Sequence, residues 1–195
     1  MKGGATMFLK ILGTLICVFL MIVSISAILA VDVRTDIKVT ELKANSGLAY
    51  EVAKDLQVND KEYTDREYLF TSMPDYLLGL TWIRTANNDK QNAALEISFK
   101  IDKDAYIYIL WIARDPAQQE WFQKDYEKID GEVGSTDESL SVYKSKNTFS
   151  AGEIKTYQAN TGAGMYVIAL EAVPKLAVEH LNKVAVTWGK LKRSQ

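Results

Sequence analysis

The feature that most constrains this chain is a strict apolar–polar alternation followed at once by an unbroken apolar run. Leu95, Ile97, Phe99 and Ile101 are separated by Glu96, Ser98 and Lys100, a period of two that fits an extended strand with one buried face. After the tight-turn residues Asp102-Lys103-Asp104, residues 105–113 are apolar or aromatic on both faces. Such a run suits a strand at the centre of a sandwich or covered on its outer side. The two segments read as an antiparallel hairpin.

Further strand patterns surround this pair. Val33, Ile37 and Val39 open a first strand, and residues 62–72 carry Tyr63, Tyr68 and Phe70. Met73-Pro74-Asp75 closes that segment, because proline cannot donate to a ladder. Residues 76–79 form a helical turn, residues 80–86 a strand, and Asn87-Asn88-Asp89-Lys90 a turn cluster. Trp121, Phe122 and Tyr126 share a helical face, and the Gly-, Ser- and acid-rich residues 130–139 read as a loop. Strands follow at residues 140–144, 154–158 and 165–173, with Ala151-Gly152 and residues 161–164 as turns. Many short strands with almost no amphipathic helix predict an all-β fold, an antiparallel β-sandwich of Greek-key or jelly-roll type.

The N-terminus is of another kind. Residues 11–31 carry no charge, follow Lys2 and Lys10, and end among Ser24, Ser26, Ala27 and Ala30. This is the pattern of a hydrophobic signal helix cleaved after Ala30. An uncleaved membrane anchor is the alternative, since the run is long enough to cross a bilayer. The expected organisation is therefore signal peptide 1–30, first strand and linker 31–46, sandwich 47–173 and tail 174–195, with a secreted or extracytoplasmic address. Removal of the leader takes away the only Cys, Cys17, so no disulfide or thiolate site remains.

Composition excludes several chemistries. The 195 residues hold 23 Lys plus Arg against 25 Asp plus Glu and one His, which gives no electrostatic footprint for nucleic acid. His180 reads as a solvated tail residue. No nucleophile elbow, His-Glu-x-x-His, phosphate loop or dinucleotide fingerprint occurs, so no cofactor is expected. The acids Asp60, Glu62, Asp65, Glu67, Asp102, Asp104, Asp137 and Glu138 read as solvated turn residues rather than a catalytic pair. Asp102 and Asp104 lack the Gly and terminal Glu of a dedicated calcium loop, so no metal is expected.

Aromatic residues carry the functional signal. Four Trp and ten Tyr are many rings for such a domain, and rings flanked by Asn, Asp and Arg suit sugar stacking. For Trp82 and Trp111, inside strands, core filling outweighs sugar stacking, whereas for Trp121, in a connecting segment, the two readings stand about even. Tyr63-Thr-Asp-Arg66, residues 68–74, Leu78-Gly79, residues 82–90, Ala105-Tyr-Ile-Tyr108, Trp121-Phe122, Ser150-Ala-Gly152 and Met165-Tyr-Val167 together resemble a β-sandwich domain of bacterial secreted proteins. That domain often lies beside polysaccharide lyases and other carbohydrate-active modules. The resemblance covers about residues 47–172 and implies a carbohydrate-binding-like accessory module that binds glycans or packs against a catalytic domain; Ile112 departs from it, standing where the pattern tends to carry an acid between Trp111 and Arg114.

The leading expectation is an exported, non-enzymatic module binding polysaccharide or cell-surface glycan through Trp82, Arg84, Asn87, Asp89, Trp111, Arg114 and Trp121. A structural or protein-interaction domain at the cell surface is the alternative, with the N-terminal segment as a membrane tether. A small glycan-cleaving enzyme using two turn acids is the third reading.

Overall fold

The computed structural model describes residues 36–115, 119–152, 154–158 and 162–174. The leader, the tail and His180 lie outside the described residues. Ten strands form two antiparallel sheets: β1 (Val39–Ala44), β2 (Glu51–Ala53), β3 (Phe70–Ser72), β4 (Thr81–Arg84), β5 (Ile97–Ile101), β6 (Ala105–Ile112), β7 (Tyr126–Ser135), β8 (Leu140–Ser145), β9 (Ile154–Tyr157) and β10 (Val167–Ala172). One helix, α1 (Glu120–Asp125), and a 3-10 helix, Asn87–Gln91, complete the described elements. The smaller sheet runs β1-β5-β9 and the larger β2-β4-β10-β6-β8-β7-β3. The all-β sandwich expected from the strand patterns is what forms.

Partner choice differs from the expected hairpin. Strand β5 pairs with β1 and β9, whereas β6 pairs with β10 and β8. The Asp102–Asp104 turn therefore carries the chain from one sheet to the other. Periodicity fixes which face a strand buries, not which strand it pairs with. The turn acids hold the crossing: Asp102 Oδ1 accepts from Lys38 N at 2.8 Å and Asp104 Oδ1 from Ala151 N at 2.8 Å. Strand β6 sits fourth of seven in its sheet, in agreement with its two apolar faces.

Two other segments differ. Residues 62–72 are not one strand: the chain folds back, with Glu62 N donating to Tyr68 O at 2.8 Å and Phe70 N to Asp60 O at 3.0 Å, and only β3 extends. Residues 130–139 are not all loop, since β7 continues to Ser135 and buries Val133 alone on its core side beyond residue 129. A strand whose outer side carries Asp, Glu and Gly has loop composition. Its pairing with β8 shifts register between Lys128 and Glu132, around Gly131.

Gly131 is required there. Its φ is +117°, and a Cβ would stand 2.5 Å from the Tyr76 hydroxyl and 2.8 Å from Pro74 Cγ. The Tyr76 hydroxyl cannot easily retreat, because it donates to Asp130 O at 2.7 Å. Gly131→Ala is expected to cost about 2–4 kcal/mol of strain and overpacking. Gly152→Ala, with φ +78° but open space around it, is expected to cost about 1–2 kcal/mol. Urea unfolding of the two variants side by side checks this; equal losses would rule out the Tyr76 contact as the cause.

Candidate functional site

The register decides what the tryptophans can do. Trp82 pairs with Ala169, and Ala169 with Tyr108, so these three side chains share one face of the larger sheet. Trp111 lies three residues beyond Tyr108 on the same strand and therefore points to the opposite face. Trp82 is 0% exposed under Phe70, their rings 5.7 Å apart at 63°. Trp111 is 1% exposed between the sheets, stacked on Tyr166 at 5.6 Å and tilted on Phe122 at 4.6 Å. Neither ring offers a face to a sugar, and the two cannot belong to one platform. Both are core residues.

The polar members of the set are equally committed. Asn87 is buried, its Oδ1 accepting from Met165 N at 2.9 Å. Asp89 is buried too, and its Oδ2 accepts from Ser46 Oγ at 2.6 Å and the Tyr50 hydroxyl at 2.9 Å. Burial, then the Asp89 carboxylate, pushes the Tyr50 phenol far up, so it stays a donor. Asp65, in the fold-back loop, accepts from Asn87 N at 2.8 Å and Asn88 N at 2.9 Å. Residues 87–90 are thus a joint that ties the 3-10 helix to β10 and to the segment before β2. Arg84 pairs with Glu51 across the β2–β4 register at 3.1 Å and covers the Trp82 ring at 4.9 Å. Arg114, largely exposed, pairs with Glu138.

Trp121 alone of the three rings meets the surface. It opens α1, where its neighbours Phe122, Tyr126, Tyr157 and Tyr166 hold it at centroid distances of 5.5, 6.5, 5.8 and 6.0 Å. A Tyr126–Tyr157 hydroxyl contact at 2.9 Å and the Phe99–Tyr157 stack at 5.6 Å continue this aromatic chain to the smaller sheet. The indole N–H of Trp121 is buried and has no acceptor among the described residues. What the ring presents is therefore part of its carbon surface, in a groove of about 520 Å³ lined also by Gln119, Glu120, Lys124 and Gln158. Planar amides beside a rigid, half-buried ring match the chemistry of sugar recognition.

A larger groove, of about 720 Å³, lies by the smaller sheet and is lined by Lys43, Tyr50, Glu96, Ser98 and Thr156 among others. Sequence reasoning missed it because it has no tryptophan. Its residues come from three strands that are distant in sequence. Among the described residues no group of three or more His, Cys, Asp or Glu is placed to hold an ion. Glu62 is not a solvated turn acid. It is fully buried, with Oε2 accepting from Ser135 Oγ at 2.6 Å.

No protein-family pattern matches the chain. A β-glucuronidase of Formosa agariphila is 34% identical over 84 residues, which is 43% of this chain and 8% of that protein. Among solved structures, a β-glucuronidase from glycoside hydrolase family 2 superposes with a TM-score of 0.58 at 24% identity, over 68% of this chain and 14% of that one. A family 138 glycoside hydrolase targeting pectin rhamnogalacturonan II gives 0.46 at 14% identity, over 69% and 16%. The chain spans a small part of each. The two β-glucuronidase matches correct the expectation of a non-enzymatic protein, because they point to glycoside-hydrolase relatives, of which this chain covers 8% and 14%. They agree with the coarser reading of a carbohydrate-associated β-sandwich.

Proposed function

We propose that this chain is a glycan-contacting β-sandwich of the glycoside-hydrolase kind, and that its contact is the groove beside Trp121. The observation that carries the proposal is a ring fixed by four aromatic neighbours with Gln119, Gln158, Glu120 and Lys124 around its open side. A fixed ring loses little freedom on stacking, and the exposed Gln158 amide and the charges of Glu120 and Lys124 supply donors and acceptors for hydroxyls or a uronate carboxylate. The uncharged run of residues 11–31 behind Lys2 and Lys10 supports an extracytoplasmic address. One ring and a few polar groups give weak binding, in the micromolar to millimolar range.

Affinity gel electrophoresis with glucuronoxylan, alginate and neutral xylan tests the proposal. Retardation by at least one is expected, together with a loss of about tenfold in affinity for Gln158→Ala or Trp121→Ala, about 1.4 kcal/mol. Gln158 is exposed, so its variant separates binding from folding. Absence of retardation on all three, or retardation indifferent to both variants, overturns the site. The burial of Trp82 and Trp111 favours a second reading, a scaffold that packs against a neighbouring domain, and that reading gains if no glycan is retained.

A further inference from the structure

Outside the Trp121 groove, the exposed face of the smaller sheet carries a second set of groups that the fold does not use. Lys43 pairs with Ser98 and Ser98 with Thr156 in the β1-β5-β9 register, so these three side chains form a row on one face. The intervening Ile97, Phe99 and Tyr157 point into the core. Lys43, Ser98 and Thr156 make no side-chain hydrogen bond or ion pair among the described residues. Tyr50 stands beside the row as a half-buried ring, its hydroxyl fixed on Asp89 at 2.9 Å.

The two grooves adjoin where β9 ends: Thr156, in the strand, lines the larger one, and Gln158, one residue past its end, lines the Trp121 groove. Adjacent strands lie about 4.8 Å apart, so the row from Lys43 through Ser98 to Thr156 spans roughly 10 Å across the smaller sheet.

We infer that the two grooves form one track for an extended polysaccharide chain, running from the Trp121 ring past Gln158, Thr156 and Ser98 to the Tyr50 ring. The inference rests on the reading of the Trp121 groove as a glycan contact and adds a second subsite to it. Asp89 is then a positioning residue, which holds Tyr50 at the far end of the track without touching the ligand. Each groove is lined by one cation and one carboxylate, Lys43 with Glu96 and Lys124 with Glu120, so the track has no net charge and suits neutral as well as acidic chains.

Isothermal calorimetry with fragments of glucuronoxylan, alginate and xylan, from disaccharide to octasaccharide, tests the track. Affinity is expected to rise about tenfold or more with length, because the second subsite is engaged intramolecularly. Thr156→Glu, at an exposed position, is expected to abolish that rise while leaving the melting temperature unchanged. Asp89→Asn is expected to weaken the octasaccharide more than the disaccharide. Binding that is independent of length and unaffected at Thr156 overturns the track and leaves the Trp121 site standing; no binding of any fragment overturns both.

Discussion

Trp111→Ala is expected to lower the stability of the domain by about 3–5 kcal/mol and its melting temperature by roughly 10 °C. The ring is 1% exposed, sits one residue before the end of β6, and touches Tyr166, its neighbour where β10 begins, and Phe122 of α1. Truncation leaves a hole that β6 cannot close, since its neighbours β10 and β8 hold it in register on both edges. Trp111→Phe is expected to cost roughly half as much or less: it keeps most of the stacking and removes an indole N–H that is buried without an acceptor among the described residues. Trp121→Ala, at a half-buried position, is expected to cost about 1–3 kcal/mol yet lose more glycan retention. Thermal unfolding followed by circular dichroism ranks the three variants. A Trp111→Ala protein that melts with the parent would place that ring outside the core.

The contrast between Trp111 and Trp121 shows what the sequence carried. Trp111 lies in an apolar run and Trp121 between Glu120 and Phe122, and the local pattern assigns each a strand or a helix without saying what lies across from it. Burial of Trp111 follows from the sheet order, which puts β6 at the centre of seven strands through contacts with residues some 30 and 60 positions away. Exposure of Trp121 follows from its place at the start of a six-residue helix on the surface. The face-burying pattern of β5, the central run of β6 and the strands β4, β8, β9 and β10 were all legible, because hydrophobic periodicity is a local property. Strand pairing is not local, so the β5–β6 connection read as a hairpin and is in fact a crossing between sheets. The joint at Asn87 and Asp89 misled for a related reason. Asn and Asp beside a tryptophan suit both sugar binding and backbone capping, and only the positions of Met165, Ser46 and Tyr50 decide between them. The smaller-sheet groove was invisible because its Lys43, Ser98 and Thr156 are ordinary strand residues until the register sets them side by side.

Glu62 supplies the other large expected effect, a dependence of stability on pH. Its carboxyl group is fully buried, with one oxygen accepting from Ser135 Oγ and the other without a partner among the described residues. Burial raises its pKa above the ordinary value of 4.5, against the lowering effect of the Ser135 and Tyr63 hydrogen bonds, and nearby Asp137 and Glu138 raise it further. The folded protein therefore keeps this proton at a pH where the unfolded chain has released it. Below pH 4.5 both states are protonated and the stabilising contribution of this group is complete. As pH rises from there to the raised folded value, the folded state binds one proton more than the unfolded one, and stability falls by about 1.4 kcal/mol per pH unit. Beyond the folded value the loss levels off. Glu62→Gln keeps the shape and the acceptor for Ser135 but has no proton to lose, so its stability is expected to stay flat across the same window. Parent and variant should unfold at similar urea concentrations near pH 4.5 and diverge as the solution is made less acidic, the variant becoming the more stable. Parallel curves over the whole window would mean that Glu62 ionises freely in the folded protein, reached by water or by a cation that its second oxygen accepts. Glu62→Ala separates packing from charge, because it removes the pH dependence in the same way but leaves a cavity beside Tyr63 and Ser135 and so starts from lower stability at every pH.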